Sequence, residues 1–434
     1  MAIPVADNPS SLPPEAAAVR RTFLTLTFLA TLAASLIRGI DALFLLDAGL
    51  SASEVFTVYA FMTVGTVVFE IPTGAVADIK GRRLSYLIGA FALAAGTLFY
   101  WYLWHVGAGF AWFAGATLLF GVAFTFFSGA TEAWLVDALD ATGYTGDLED
   151  VFARNQMVLG AAMLVGTLLG GLLAQTTDIG VPYLVRAALL LVTFTVAFRA
   201  MHDRGFEPHE AGSFVKAIGQ TTTDSIEFGW KVTPVRWMTL GGAFMFATMG
   251  YIFYAMQPYL LELYGDSEAY LVASVAATIV AGAQIVGGAT SGVVRRRFTS
   301  RTSLIMTLTV AGAVLVAVIG LAGNFWAAIV ALVLWSVVFA VLFPVRQAFL
   351  NAQIDSRHRA TVLSVDSLVG SAGSIPASPA LGRVADVAGY GPSFLVAAVV
   401  QIGALPFLAR ARVTCPGHTD RIDLEPGPAA AAAG

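Results

Sequence analysis

Cysteine is almost absent from this chain: Cys415, near the carboxyl end, is the only one in 434 residues. A single cysteine excludes an intrachain disulfide and a metal site built from cysteines. Histidine is also scarce, and its copies lack the i, i+4 spacing of a zinc site on a helix; they are His105, His202, His209, His358 and His418. The sequence therefore predicts neither a bound metal nor another cofactor.

Charged residues are few as well, at 12% of the chain, whereas a soluble globular domain has about 25%. Hydrophobic residues make up 57%, and the mean hydropathy is +0.77. This is too little charge for the surface of a soluble protein of this size, so we expect an integral membrane protein.

The chain also lacks a Gly-x-x-x-x-Gly-Lys-Ser/Thr nucleotide loop, a nucleophile–base grouping and a basic block. These absences argue against direct ATP drive, an enzyme and nucleic-acid binding.

Long apolar runs are what the chain has in abundance. A membrane-spanning helix needs roughly 20 mainly apolar residues, and short linkers between such runs make neighbouring helices antiparallel. The sequence predicts twelve spans, at about 22–46, 54–77, 84–104, 109–138, 152–176, 180–200, 234–261, 267–292, 302–321, 325–350, 359–386 and 391–410. The expected fold class is therefore an all-α membrane protein with twelve transmembrane helices.

One linker, residues 201–233, is long and rich in charged residues, and it divides the spans six and six. This layout predicts two pseudo-symmetric six-helix bundles joined on the cytoplasmic side. The amino-terminal bundle with its short tail would cover 1–200 and the carboxyl-terminal bundle 234–412, followed by a disordered cytoplasmic tail at 413–434. Within the linker, residues 213–230 predict an amphipathic surface helix.

The distribution of Lys and Arg predicts the orientation. With both termini inside the cell, all Lys and Arg lie in inner segments except Arg38, Arg186, Arg346 and Arg383, which lie within spans or near their outer ends. Basic residues resist translocation, so a bias this one-sided indicates a multi-pass cell-membrane protein with both termini in the cytoplasm.

The segment Gly74-Ala75-Val76-Ala77-Asp78-Ile79-Lys80-Gly81-Arg82-Arg83 connects the second and third spans. It resembles the loop signature of the major facilitator superfamily, Gly-x-Leu-Ala-Asp-Arg-x-Gly-Arg-Lys, with Ile79 where the family usually has Arg. A degenerate second copy, Gly292 to Arg301, connects the eighth and ninth spans and has Arg296 in place of the acid. The resemblance implies the major facilitator fold. The loss of the acid suggests that the first copy carries most of the function of this loop.

By the same resemblance, Asp78 would meet the positive amino-terminal end of the eleventh span near His358 to Thr361. Arg82 would pair with Asp137 at the inner end of the fourth span. These contacts would hold the two halves together on the cytoplasmic side and favour an outward-open state. The alternative is that the cations only set topology. The predicted gating loop comprises Gly74, Asp78, Lys80, Gly81, Arg82, Arg83 and Asp137.

Six ionisable residues lie within spans, where charge is costly and by default marks a pathway, a proton relay or an internal pair; they are Arg38, Asp41, Glu70, Glu132, Arg346 and Asp366. The last four fall about 7–12 Å from the cytoplasmic edge, at about 1.5 Å per residue. They predict one charged layer that acts as an interdomain gate or carries protons.

Arg38 and Asp41 form a second group, toward the outer half of the first span. Their i, i+3 spacing predicts a shared helix face. On that face they would either meet substrate and water in a cavity or neutralise each other as a structural ion pair. The spacing favours neither alternative.

Three further segments look similar to a bacterial branch grouped with drug and metabolite exporters: Phe69 to Gly74, Ser128 to Asp137 and Arg359 to Leu368. Gly166 to Gly171 stands where drug–proton antiporters carry Gly-Pro-x-x-Gly-Gly, but without the proline. The resemblance implies a monomeric secondary transporter that exports hydrophobic or amphipathic small molecules by proton-coupled alternating access. Its partners would be a small-molecule substrate, protons and the lipid bilayer. The alternative is an importer or uniporter of a nutrient or metabolite.

Overall fold

The structure, a computed structural model, describes residues 13–128, 130–206, 230–354 and 358–422. Within these residues the chain is helical apart from turns, extended connections and one isolated backbone bridge, between Ser300 and Arg421. The all-α prediction is therefore confirmed. The surface helix predicted at 213–230 falls outside the described residues except for its last position.

In the amino-terminal half, the first predicted span is divided into two helices, and two helices cover the fourth. The helices are α1 (Pro14–Ser35), α2 (Asp41–Asp47), α3 (Ala52–Lys80), α4 (Arg82–His105), α5 (Phe110–Ser128), α6 (Ala130–Ala141), α7 (Leu148–Thr176) and α8 (Val181–Ala200).

The carboxyl-terminal half repeats this layout, with two helices covering its last span. Its helices are α9 (Thr233–Tyr264), α10 (Tyr270–Arg295), α11 (Arg301–Gly320), α12 (Phe325–Gln353), α13 (Arg359–Ala388), α14 (Tyr390–Ile402), α15 (Leu405–Thr414) and α16 (Gly417–Asp420).

Eleven helical stretches of the described residues are long and apolar enough to cross a membrane, counting α5 with α6 and α14 with α15. The span predicted at 359–386 is not among them, although α13 is 30 residues long. Ser, Gly and Pro lower its hydropathy. Instead of facing lipid on all sides, α13 packs along α3 and α9. A helix enclosed by other helices needs small residues for close packing more than it needs apolar bulk.

The segment 413–422 differs from the predicted disordered tail. Helix α15 continues to Thr414, and α16 follows it directly. The Asp420 carboxylate accepts hydrogen bonds from the backbone N–H (2.8 Å) and the hydroxyl (2.7 Å) of Thr302. This carboxylate satisfies donors in the first turn of α11, which are otherwise unpaired. That capping contact orders the start of the tail.

The two halves meet mainly at the outer side, opposite the predicted cytoplasmic side. Helix α3 packs against α13, and α7 packs against α10. Glycines allow the close approach: a Cβ at Gly171 would overlap the Ser274 side chain, and a Cβ at Gly382 would lie 2.8 Å from Cα of Ser53. The outer side is therefore closed.

The inner side is open. Five consecutive residues of α3, 68–72, are exposed, although successive positions on a helix point in different directions. A Cβ added at Gly74, Gly160, Gly288 or Gly292 would meet nothing within 4 Å. Helices that touch at their outer ends thus separate toward the predicted cytoplasm. The structure is therefore open on the side predicted to face the cytoplasm and closed on the opposite side.

Candidate functional site

A cavity of about 200 Å³ lies at the centre of the molecule, mainly within the amino-terminal half. Among the described residues that line it, Asp41 is the only acid, and Arg38 and Arg186 are the only cations. Aromatic side chains form much of the remaining wall, and Phe253 and Tyr254 of α9 close it from the carboxyl-terminal half. The cavity therefore combines three charges with an apolar, aromatic surface at the interface between the bundles.

Asp41 is the first residue of α2, and a helix break positions it. Residues 36–40 form turns between α1 and α2, so the first span is not one continuous helix. The Asp41 carboxylate accepts a hydrogen bond from the Tyr183 hydroxyl at 2.7 Å. Arg186 lies near enough to attract it electrostatically, but beyond ion-pair distance. The carboxylate thus keeps acceptor capacity that its protein contacts do not fill.

Arg38 lies on the same cavity as Asp41, but the two do not form an ion pair. The shared helix face predicted from their spacing assumed an unbroken helix, whereas the break separates them. The Arg38 guanidinium lies 4.3 Å from the ring centroid of Phe253. The Arg38 carbonyl accepts a hydrogen bond from Gln257 Nε2 at 3.0 Å, and Gln257 Oε1 accepts one from the Ala42 N–H at 3.1 Å. Gln257 of α9 therefore braces the break from the opposite half.

Sequence reasoning did not identify Arg186 or the tyrosines as part of this site. The rings of Tyr59 and Tyr254 stack across the two halves with centroids 3.9 Å apart. Arg186 lies 5.5 Å from the Phe120 centroid, and its buried Nε has no hydrogen-bond partner. The position of Arg186 within a predicted span could have identified it as a site residue, because a charge within a span is costly. The tyrosines carried no comparable signal, because aromatic residues are common at membrane interfaces.

Of the four residues predicted to form an inner charged layer, the structure brings together only Arg346 and Asp366. Both side chains are buried, and Arg346 Nη2 and Nη1 donate to the Asp366 carboxylate at 2.6 and 2.7 Å. The Thr239 hydroxyl donates to the same carboxylate at 2.7 Å, and Arg346 Nη2 lies 3.2 Å from the Met238 carbonyl oxygen. Two parallel charge-assisted bonds make this a directly neutralised pair, although the buried Arg346 Nε has no hydrogen-bond partner.

Glu70 and Glu132 lie apart from that pair. Both are exposed, and neither makes an ion pair or a side-chain hydrogen bond with any described residue. Glu70 lies within the exposed run 68–72 of α3, and Glu132 lies on α6. In this conformation the inner layer is a buried pair in one half and two separate carboxylates in the other.

The ion pairs of the predicted gating loop with described residues lie within its own half. Arg82 makes an ion pair with Asp78, four residues earlier, and its Nε lies 3.7 Å from the Asp137 carboxylate. The predicted meeting of Asp78 with the start of the eleventh span, near His358 to Thr361, falls partly outside the described residues and stays a prediction.

The remaining loop residues shape the turn. Gly81 ends α3 with φ of 104°, a backbone conformation that favours glycine. The Arg83 N–H donates to Asp203 at 2.9 Å, and its guanidinium donates to the Phe198 carbonyl at 2.5 Å. Lys80 is exposed, and a Cβ at Gly74 would meet open space. Arg83 thus ties the loop to the end of α8.

A carboxylate at the outer side was missed by sequence reasoning. Asp386, near the end of α13, accepts hydrogen bonds from the backbone N–H groups of Ala52 (2.7 Å) and Ser53 (3.1 Å). These are the first two residues of α3, so a residue of one half caps a helix of the other. The described residues contain no group of three or more His, Cys, Asp or Glu suited to a metal.

Comparisons with known proteins agree with this architecture. The sequence profile of the Major Facilitator Superfamily matches residues 23–375. No curated protein matches the chain. Among solved structures, the nucleoside transporter NupG is 13% identical, with a TM-score of 0.71 over 90% of this chain and 98% of that one.

Two other solved structures show the same likeness. A bacterial homologue of the human lysosomal transporter Spinster, in an inward-facing and occupied conformation, is 15% identical, with a TM-score of 0.71 over 96% of this chain and 100% of that one. A D-xylose–proton symporter is 13% identical, with a TM-score of 0.66 over 94% and 99%. At these identities the structures show the fold alone, whereas the profile covers most of the sequence. The chain therefore belongs to the major facilitator superfamily.

Proposed function

We propose that this chain is a proton-coupled secondary transporter that moves amphipathic small molecules through the central cavity by alternating access. The observation that carries the proposal is the Asp41 carboxylate, the only acid among the described residues that line a largely aromatic and aliphatic cavity with two arginines. A carboxylate within a span is a candidate proton carrier, because charge there is costly unless it serves a pathway. The cavity would hold the apolar part of the substrate against its aromatic wall.

Asp41 would exchange its proton as the substrate binds and leaves. The Tyr183 hydroxyl donates to one carboxylate oxygen at 2.7 Å and so fixes the orientation of the group. Arg186 stabilises the charged form by attraction, and a substrate that engages Arg186 weakens that attraction. Substrate binding and the protonation of Asp41 are then linked through Arg186. Proton-coupled secondary transport requires such a linkage.

The gating loop would act when the inner side closes. Asp78, Arg82 and Asp137 are already clustered at the inner end of the amino-terminal half. On closure, α13 would approach, and its amino-terminal end would meet the Asp78 carboxylate. In this proposal the loop favours the outward-open state. The chain would work as a monomer in the cell membrane, with both termini in the cytoplasm.

Two directions of transport are candidates, and they differ in the sign of the proton linkage. Export, which the sequence resemblance suggests, requires substrate and proton to displace each other. Import requires them to bind together, and the two arginines favour it: an anionic group on Arg186 would remove the counter-charge of Asp41 and promote protonation there. The sign of the proton change on substrate binding separates the two.

Proteoliposomes with an imposed pH gradient test the proposal. The measurement is gradient-driven transport of labelled amphipathic compounds, together with exchange of the same compound at equal pH on both sides. Asp41→Asn should abolish gradient-driven transport and retain exchange. The matched control is Asp47→Asn, because Asp47 lies on the same helix but not on the cavity. Its carboxylate accepts a hydrogen bond from the indole N–H of Trp104. Transport that ignores the gradient in the unmodified protein would overturn proton coupling.

A further inference from the structure

The two arginines of the cavity differ from most charges within membranes because neither is neutralised by contact with a carboxylate. Charged side chains within spans usually pair with one another or with backbone carbonyls. Among the described residues, the Arg38 and Arg186 side chains make no ion pair and no hydrogen bond. The Arg38 guanidinium lies against the ring of Phe253 and that of Arg186 against the ring of Phe120, while Asp41 attracts Arg186 without an ion-pair contact. The cavity therefore holds cationic groups with unused donors.

The charge balance of the cavity points in the same direction. With Asp41 ionised, the lining residues carry one net positive charge, and with Asp41 protonated they carry two. The buried Nε of Arg186, which lines the cavity, has no hydrogen-bond partner among the described residues. A buried donor left unsatisfied is costly, so a ligand that accepts this hydrogen bond gains affinity.

We propose that the substrate of this cavity is a small organic monoanion with an aromatic or planar apolar body, whose anionic group binds at Arg38 and Arg186. This inference rests on the proposed transport function and names its substrate class. Guanidinium groups present a planar fork of donors to carboxylate or phosphate oxygens. The tyrosine and phenylalanine rings provide the apolar contact. The cavity volume of about 200 Å³ is below the roughly 300–1,000 Å³ of many ligand pockets, which favours a small molecule.

A matched set of probes tests the charge of the ligand: 1-naphthaleneacetate, the neutral 1-naphthaleneacetamide and the cationic 1-naphthaleneethylamine. Binding to the purified full-length protein would be measured by calorimetry. The carboxylate should bind at least about tenfold more tightly than the amide, and the amine should bind most weakly. Arg38→Gln and Arg186→Gln should each remove most of that preference, while the lysine variants retain part of it.

Arg236→Gln is the matched control, because Arg236 also stacks on an aromatic ring, that of Trp237 at 5.2 Å, but does not line the cavity. A preference for the amide or amine, no binding of the carboxylate, or unchanged binding in both cavity variants would overturn the anion proposal. Transport of a bound carboxylate under a pH gradient is then measured separately. Arginine-dependent binding without gradient-driven transport would refute proton coupling and leave the substrate class standing.

An independent observation concerns the closed outer side. Asp386 follows Gly382 by four residues and precedes Gly389 by three, in the run Gly382-Arg383-Val384-Ala385-Asp386-Val387-Ala388-Gly389. The inner loop has the same arrangement, Gly74-Ala75-Val76-Ala77-Asp78-Ile79-Lys80-Gly81. The two runs share Gly, Val, Ala, Asp and Gly at the same positions, but they lie on opposite sides of the membrane. Inverted repeats place equivalent helix ends in this way.

The outer side contains a second contact of the same kind. Gln175 follows Gly171 by four residues near the end of α7, and its Oε1 accepts a hydrogen bond from the Leu271 N–H at 3.1 Å. Leu271 is the second residue of α10, as Ser53 is the second residue of α3. In each case a side-chain acceptor lies four residues after a closely packed glycine and accepts a hydrogen bond from the start of a helix in the opposite half: Asp386 at α3 and Gln175 at α10. The two caps are thus related by the pseudo-symmetry of the bundles.

The geometry points to Asp386 and Gln175 as a paired outer latch that stabilises the inward-open state. Loss of a helix cap changes an equilibrium by about 2- to 30-fold. Asp386→Ala and Gln175→Ala should each shift the protein toward an open outer side by a factor in that range, and the double variant should shift it further. The native contacts break only when the halves separate, so the effect falls on the conformational equilibrium.

Spin-label distances measure that shift. The single native cysteine allows a clean background in Cys415→Ser, with label pairs at Val106 and Leu321 on the outer side and at Thr145 and Val413 on the inner side. Each variant should lengthen the outer distance and shorten the inner one. Asp178→Ala is the control, because Asp178 caps α8 of its own half through the N–H groups of Gly180 and Val181.

Equal distance distributions in Asp386→Ala, Gln175→Ala and the unmodified protein would overturn the latch. An equal shift with Asp178→Ala would also overturn it, because a cap within one half cannot select between conformations of the two. If Asp386→Ala fails to fold, Gln175→Ala and Asp386→Asn still test the latch, since the asparagine retains one acceptor oxygen.

Discussion

The two halves of this transporter use charge within the membrane in opposite ways. In the amino-terminal half, Arg38, Asp41 and Arg186 line an open cavity and make no ion pair with one another. In the carboxyl-terminal half, Arg346 and Asp366 are buried and joined by two short hydrogen bonds. Both sets would look alike in a sequence, as arginines and aspartates within apolar runs.

The difference shows what separates a structural charge from a functional one in a membrane. Arg346 and Asp366 neutralise each other, and Thr239 and the Met238 carbonyl take up part of their remaining hydrogen-bonding capacity. Such a pair has little to offer a ligand or a proton, because breaking it leaves an uncompensated buried charge. The cavity charges retain unused donors and acceptors. A direct counter-charge, rather than the presence of charge, therefore distinguishes the two sets.

The largest expected effect comes from breaking the neutralised pair of Arg346 and Asp366. Asp366→Asn removes the countercharge of Arg346 and should destabilise the protein by about 3–5 kcal/mol, because the guanidinium stays buried. The measurement is the free energy of unfolding in detergent, obtained by denaturant titration. The double variant Arg346→Met, Asp366→Leu should recover most of the loss, because it removes both charges together. An Asp366→Asn protein as stable as the unmodified one would contradict a structural role for the pair.

Gln257→Leu should have an intermediate effect on stability and a specific effect on the cavity. Its amide bonds to the Arg38 carbonyl and the Ala42 N–H across the interface, and its loss leaves both backbone groups unsatisfied. The expected cost is about 1–3 kcal/mol in the free energy of unfolding. Ligand binding at the cavity should weaken as well, because Arg38 and Asp41 flank the helix break that Gln257 holds.

Gln401→Leu provides the comparison for that variant. Gln401 is buried in the carboxyl-terminal half, and its Nε2 donates to the Thr309 carbonyl at 3.1 Å, away from the cavity. It should lose stability to a similar degree and retain ligand affinity. Equal loss of affinity in both variants would indicate a general effect of destabilisation instead of a brace on the cavity.

These residues also show how far the sequence predicts the site. Apolar runs located the spans, and the loop signature identified the family, because both are local patterns. The break at 36–40 was not foreseen, since Gly39 is the only breaker in an otherwise apolar run. The i, i+3 argument for Arg38 and Asp41 therefore assumed the wrong backbone. Gln257 and Asp386 were missed because their partners lie 215 and 334 residues away.

A smaller effect on stability is expected for Asp41→Asn. The asparagine oxygen can still accept the hydrogen bond from Tyr183, so the free energy of unfolding should change by about 1 kcal/mol or less. The contrast with Asp366→Asn, the same substitution in the other half, tests the comparison directly with the same denaturant titration. A loss of several kcal/mol would group Asp41 with the directly neutralised charges and weaken the proposal that it carries the proton.

Glu70→Gln should have the smallest effect, and it tests the part of the inner layer that this conformation leaves unpaired. Glu70 is exposed and has no polar partner among the described residues, so the free energy of unfolding should change by less than about 0.5 kcal/mol. If Glu70 joins an interdomain gate when the inner side closes, the variant should still lower the outward-open population. The inner and outer label pairs described for the latch measure that change. An unchanged distance distribution would leave Arg346 and Asp366 as the only interacting members of the predicted layer, because no second conformation would then recruit Glu70.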